Sequence, residues 1–270
     1  VAERPRVYNV EGVILRRRNI GEADSIFTVL SPHAGKFDAV ARGVRKPRSR
    51  MRGHLEPLTR SKLLLARGRT LDVFTQAETL TSYRAIHDDL ELSAAALYCA
   101  ELVDRFTAEH VEQPGIYELL LDTLDALEAG APPHVVRHYE IHLLLLTGFE
   151  LQFDACAVCG ARLPEADALL SGQAGGLVCR GCRPLAGGGR LVGVRGIKVL
   201  RFARANSIAR MADLRIGDDL GRELRAALGD AIRVVLDHEV HSRRFVEQVG
   251  QLAPRTPAEP AGDVHSITPS

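Results

Sequence analysis

The chain has 270 residues, 46% of them hydrophobic and 26% charged, a balance that fits an ordinary folded protein and excludes global disorder. No run approaches the roughly 18 apolar residues of a membrane span, and Val1 to Arg6 lack the apolar core of a signal peptide, so a cytoplasmic protein with no membrane partner is expected. The net charge of +1 hides an uneven split: residues 1–80 hold 16 Lys and Arg against 8 Asp and Glu, and residues 81–270 hold 19 against 26. Such asymmetry points to one part of the chain meeting a polyanion.

The first eighty residues read as strands. Val7 to Leu15, Ser25 to Leu30 and Lys36 to Ala41 are short β-branched or aromatic segments, and Pro32 and Gly35 suit a tight connection between the last two. A second pair, Lys62 to Ala66 and Leu71 to Gln76, is joined by Arg67-Gly68-Arg69-Thr70. Five strands in this length predict a small closed barrel of the OB-fold type. From about Tyr83 the period becomes helical, through Leu90 to Phe106, then Ile116 to Leu127 after the Pro114-Gly115 break, then Val135 to Thr147 ending at Gly148. Beyond the cysteines, Gly187-Gly188-Gly189 predicts a flexible joint, and helical patterns return over Ile197 to Ala203 and Gly221 to Val240. Residues 253–270, rich in Pro, Ala, Thr and Ser, predict a disordered tail. The expected fold class is α+β: an OB-fold β-barrel over 1–80, then an α-helical domain over 81–252 carrying a four-cysteine zinc ribbon insert at about 153–186.

Four of the five cysteines lie between 156 and 182, unlike the spread bridges of a secreted framework. Cys156-Ala-Val-Cys159 and Cys179-Arg-Gly-Cys182 are separated by nineteen residues, with Gly160 after the first pair and Gly181 within the second. Two such turns place four thiolates at the corners of a tetrahedron, which suits one Zn2+ ion; two disulfides, an iron–sulfur cluster and inert thiols are the alternatives. With all four corners sulfur, no position is left for a water or substrate, and the metal is expected to be structural. Cys99, alone on a helix, reads as a buried small hydrophobe.

Between Arg42 and Arg69 ten basic residues stand against Glu56 alone. Phosphate neutralisation would use that density well, while a solvated loop or an acidic protein partner are the other readings. Arg16-Arg17-Arg18 adds charge at the end of the first strand. Trp is absent and aromatics make up only 5% of the chain, which favours backbone binding over fine base readout. Enzyme motifs are missing. Gly35-Lys36 has Leu30 where a phosphate loop needs glycine, no G-x-S-x-G occurs, and His238-Glu239-Val240-His241 is one residue short of a zinc-protease helix. His134, His138 and His142 share a helical face without a nearby carboxylate or thiol pattern. Residues 81–150, with 3 basic and 13 acidic side chains, read as a solvated helical exterior.

With these residues in place the chain resembles the RecO family of bacterial recombination mediators over nearly its whole length apart from the tail. The stretches that carry the resemblance are Gly12-Val13-Ile14-Leu15, Gly21-Glu22-Ala23-Asp24-Ser25 with Phe27-Thr28, Gly35-Lys36, Val40 to Lys46, Leu145 to Phe149 running into Cys156-Ala-Val-Cys159-Gly160, and His241 to Phe245. The resemblance implies a non-enzymatic protein that binds single- and double-stranded DNA, anneals complementary strands and helps RecA replace single-strand-binding protein, together with RecR and sometimes RecF. It also implies nucleoid association when engaged, and DNA contacts on the N-terminal barrel, here Lys36, Arg42, Arg45, Lys46, Arg48, Arg50 and Arg52. The competing reading is a zinc-ribbon adaptor whose basic loop docks an acidic partner. A hydrolase or nuclease would need carboxylates or histidines gathered at an open metal, and the sequence gathers none.

Overall fold

The computed structural model describes residues 6–236. The expected tail at 253–270, the end of the helix expected over 221–240, His238 to His241 and the family-like stretch His241 to Phe245 lie outside the described residues. Five strands come first: β1 (Val7–Ile20), β2 (Asp24–Ser31), β3 (Gly35–Ala41), β4 (Arg60–Ala66) and β5 (Asp72–Thr81). They run β1-β2-β3-β5-β4 and return to β1 as a closed barrel. The long first strand serves two partners, antiparallel to β4 from Val7 to Val13 and to β2 from Val13 to Ile20. That change of partner needs a close backbone approach at Gly12, where a Cβ would lie 2.5 Å from Val29 Cγ1 and 2.7 Å from the Leu30 carbonyl oxygen.

The period of two along β1 divides its side chains between two cores. Ile14 points inward with Phe27, Val29, Phe37, Leu63, Leu65 and Phe74, and the Phe27 and Phe74 rings meet edge-on at 5.9 Å. Val13, Leu15 and, from β2, Leu30 point outward and are buried in the core of the helices that follow. Both faces of this stretch are therefore dry, which is why it reads as an unbroken apolar run.

The helical part comprises α1 (Arg84–Asp88), α2 (Leu90–Phe106), α3 (Pro114–Glu128) and α4 (Val136–Leu146). Asp89 caps α2 by accepting from the Leu92 N–H at 2.9 Å, and Pro114 opens α3, where its missing N–H costs nothing. Cys99 is fully buried in α2, as its sequence context predicts. Then come a small sheet of β6 (Ala168–Ser171), β7 (Gly176–Val178) and β8 (Arg190–Val192), and three helices, α5 (Val194–Ala205), α6 (Ile208–Ala212) and α7 (Asp218–Leu236).

The expectation of a self-contained OB-fold barrel followed by a helical domain with a ribbon insert needs one correction. The barrel is not an evenly closed, free-standing unit. Its β3–β5 seam holds only the parallel pairs Ala39 with Asp72 and Val40 with Val73, against seven pairs along each other seam, because the chain leaves β3 at Ala41 for the basic loop. Its flank at β1 and β2 belongs to the helical core. The cysteine segment, expected as an insert at about 153–186, shares its sheet and core with the strands and helices that follow it. β6 sits between β7 and β8, β8 lies beyond residue 186, and Leu170, Leu177, Val178 and Val192 share one core with α4, α5 and α7. The glycine run expected to be a joint feeds directly into β8.

Candidate nucleic-acid interface and candidate metal centre

Residues 42–59 leave β3 and return to β4 across one end of the barrel. Val44 and Leu55 are fully buried in the barrel core and Met51 packs against it. The backbone is fixed at its root: Gly43 N–H donates to the Asp24 carboxylate at 2.7 Å, Arg45 N–H to the Ala23 carbonyl at 2.9 Å, and Lys46 N–H to the Gly43 carbonyl at 3.0 Å. Apolar anchors inside leave the long cationic side chains outside. Arg42, Arg45, Lys46, Arg48, Arg50 and Arg52 are all exposed. Arg45 also donates to the Gly21 carbonyl at 3.1 Å, and among the described residues none of the six pairs with a carboxylate.

Lys36 is placed apart from them. It is only 8% exposed, and its ammonium lies 3.1 Å from the Asp104 carboxylate on α2, which also accepts from Arg16 at 2.7 Å. The Lys36 carbonyl accepts from the His110 N–H at 2.8 Å. These contacts tie the barrel to the helices, and they leave Lys36 no open face for a phosphate. Its partner lies 68 residues away, so nothing local in the sequence separates it from the six free cations.

The four cysteines converge as their spacing predicts. The sulfurs of Cys156, Cys159, Cys179 and Cys182 all lie within 4.8 Å of one another, a cluster able to coordinate a metal, and the only such group of three or more among the described residues. Two turns build it. Gly160 N–H donates to the Cys156 carbonyl at 2.8 Å with Gly160 at φ +71°, and Cys182 N–H donates to the Cys179 carbonyl at 3.1 Å. Gly181 faces open space, so the second turn does not depend on it. Cys156 is 2% exposed, whereas Cys159 reaches solvent. Burial pulls the Cys156 thiol up, but N–H groups from Cys159, Cys179 and Val158 outweigh it and bring the value down to about 6. Cys182, which shares protons first with Cys179 and then with Cys159, is pushed up to about 12.

The expected histidine face spans the turn before α4 and α4 itself, and among the described residues it gathers no metal-ligand cluster. The His138 and His142 rings stack at 4.0 Å, His134 Nε2 lies 3.2 Å from the Met211 carbonyl, and His142 Nε2 lies 3.2 Å from that of Ala203. These side chains seam α4 to α5 and α6. An aromatic group that the sequence reading passed over is Tyr8, half-buried on β1 with the Arg67 guanidinium 4.6 Å above its ring and its hydroxyl donating to Asp72. Burial, followed by the Asp72 hydrogen bond, pushes its phenol up to about 12. No local signal marks it, since its partners lie some sixty residues on.

A cluster of four thiols on the helical part and a basic loop without carboxylate partners on the barrel occur in one chain, and comparison with known chains places it in a DNA-repair class. The family model described as Recombination protein O N terminal matches residues 6–83, and Recombination protein O C terminal matches residues 87–244. The chain belongs to the recombination protein O family. Among its relatives, a DNA repair protein RecO of Roseiflexus sp. (strain RS-1) is 39% identical over 253 residues, 92% of this chain and 88% of the relative. One of Desulforudis audaxviator (strain MP104C) is 38% identical over 243 residues, 90% of this chain and 97% of the relative. One of Dehalococcoides mccartyi (strain CBDB1) is 35% identical over 237 residues, 87% and 93% respectively. No helix among the described residues is long and apolar enough to cross a membrane.

Proposed function

We propose that this chain is a non-catalytic, DNA-binding mediator of recombinational repair that anneals complementary strands and helps RecA load onto DNA coated by single-strand-binding protein, with RecR and sometimes RecF. The observation that carries the reading is the set of six exposed, carboxylate-free cations, Arg42, Arg45, Lys46, Arg48, Arg50 and Arg52, on a loop anchored by Val44 and Leu55. Lys36, buried and paired, acts from behind as a structural contact. Phosphates that bind such a loop displace condensed counterions, which supplies affinity without sequence preference. Two strands whose backbones are both partly neutralised repel each other less, and annealing then needs no nucleotide hydrolysis.

Zn2+ fits the cysteine cluster. Four sulfur donors within 4.8 Å of one another match tetrahedral thiolate coordination at about 2.3 Å per bond. Cys156, Cys159, Cys179 and Cys182 would hold one ion, whose contribution is to fix the fold and not to react. The division of labour follows: the barrel at the N-terminal end meets DNA, and the cysteine-stapled helical part supports it and meets proteins.

The test is binding of labelled single-stranded and duplex oligonucleotides over a salt series, for wild type and for a variant with Arg45, Lys46, Arg48, Arg50 and Arg52 all changed to Ala. Five lost contacts at about 0.7 to 0.9 each predict a log–log slope shallower by about 3.5 to 4.5. A wild type that binds neither oligonucleotide, yet captures an acidic peptide through the same loop, would replace this reading with that of a protein adaptor.

A further inference from the structure

The barrel carries a layered group that charge alone does not explain. Tyr8 lies on β1 opposite Leu65, partly packed on the barrel core, and its hydroxyl is fixed by Asp72 at the start of β5. Asp72 is held in turn by the Gly68 N–H at 3.0 Å, and the Arg67 N–H donates to the Arg6 carbonyl at 2.9 Å, so the β4–β5 connection is anchored at both ends. The Arg67 guanidinium carbon sits over the Tyr8 ring, 4.6 Å from its centroid, and Arg67 is exposed and has no carboxylate partner among the described residues. The position is close to the basic loop: Asp72 pairs with Ala39 across the thin seam, and Arg42 follows Ala39 by three residues.

The geometry points to Arg67, backed by Tyr8, as a stacking site for one nucleobase of a single strand whose backbone follows the basic loop. This rests on the DNA-binding reading above and deepens it. A guanidinium plane stacks on bases as aromatic rings do, and an aromatic ring beneath it holds the plane at a fixed tilt. Arg67 is then the contact and Tyr8 the positioning residue. Asp72 orients the ring by accepting its hydroxyl proton.

The test compares affinity for a mixed-sequence single strand with that for an abasic sugar-phosphate oligomer of equal length, using the full chain and the variants Arg67→Lys, Tyr8→Leu and Tyr8→Phe. Stacking of one base predicts that wild type favours the base-bearing strand by about fivefold to a hundredfold. Arg67→Lys keeps the charge and loses the plane, so the preference falls at least about fivefold while the salt slope holds. Tyr8→Leu lowers the preference as well, and Tyr8→Phe retains most of it. Equal wild-type affinity for the two oligomers, or an unchanged preference in Arg67→Lys, overturns the stacking site while leaving the DNA-binding reading intact. A wild type that binds neither oligomer overturns both.

Discussion

Residues 42–69 carry ten Lys and Arg against Glu56 alone, and residues 180–215 carry nine against Asp213 alone. The first is the denser, with ten in 28 positions against nine in 36, and the fold treats their cations differently. In the first, among the described residues, Arg60 alone meets a carboxylate, that of Glu11, and the loop cations have no carboxylate partner. In the second, Arg190 pairs with Asp230 at 2.7 Å, Arg204 with Asp154 at 2.5 Å, Arg201 with the same Asp154 at 3.4 Å, and Lys198 with Glu165. Arg183 donates to the Asp167 carbonyl at 3.2 Å. A charge run becomes a polyanion surface only where carboxylates have not already neutralised it, because counterion release needs phosphates to be the first anions to arrive.

The ion pairs of the second stretch depend on the cysteines. Asp154 and Glu165, which hold Arg201, Arg204 and Lys198, lie on the segment that Cys156 and Cys159 fix in place. Structural zinc supplies roughly 10 to 16 kcal/mol of apparent folding energy in small domains, more than many whole domains possess. Chelation, or Cys179→Ser with Cys182→Ser, should therefore abolish hydrogen-exchange protection over 151–192 and reduce it in α4, α5 and α7, which share that core, while β2 and β3 stay protected. The freed cations should then steepen the salt dependence of DNA binding. If exchange shows the segment open and the salt slope unchanged, pairing is not what distinguishes the two stretches.

A smaller lever is pH at the seam between α4 and α5. Burial first, then the neighbouring His142, lowers His138 to about 4, with only the Asn206 carbonyl opposing. Its folded value thus lies below the usual 6.5, so between those limits the unfolded chain takes up a proton that the folded chain refuses. Stability from this group is intact above about pH 6.5 and declines as pH falls toward 4. Urea melts at pH 7 and 4.5 should differ by less in His138→Phe than in wild type. An equal pH loss in that variant would move the acid sensitivity elsewhere in the molecule.

Much of this was legible in the sequence wherever the physics is local. The Cys-x-x-Cys turns, the run from Arg42 to Arg52, the break at Pro114-Gly115, and the strand periods each act over a few residues, and the structure contains each of them. What escaped depends on partners far apart in the chain. Asp104 removes Lys36 from the exposed set across 68 residues, Glu165 and Asp154 neutralise α5 from 33 and 50 residues away, and Asp72 fixes Tyr8 from 64. The three short strands β6, β7 and β8 were hidden for a related reason. At three or four residues each they carry almost no periodicity, and only the shared core with α4, α5 and α7 makes them strands.

The finest test leaves the fold alone. Lys198, Arg201 and Arg204 lie on α5 in partly exposed ion pairs, and such pairs contribute from nothing to about 1 kcal/mol each, so their removal to Ala should shift the melting temperature by a few degrees at most. A phosphate approaching them must displace a carboxylate from each, trading one screened ion pair for another of similar strength. The triple variant should therefore lower the log–log salt slope by less than about one, where three free cations would lower it by about two to three. A fall as large as the second figure would mean that phosphates outcompete Asp154 and Glu165, and that the 180–215 stretch is as much a part of the DNA surface as the loop on the barrel.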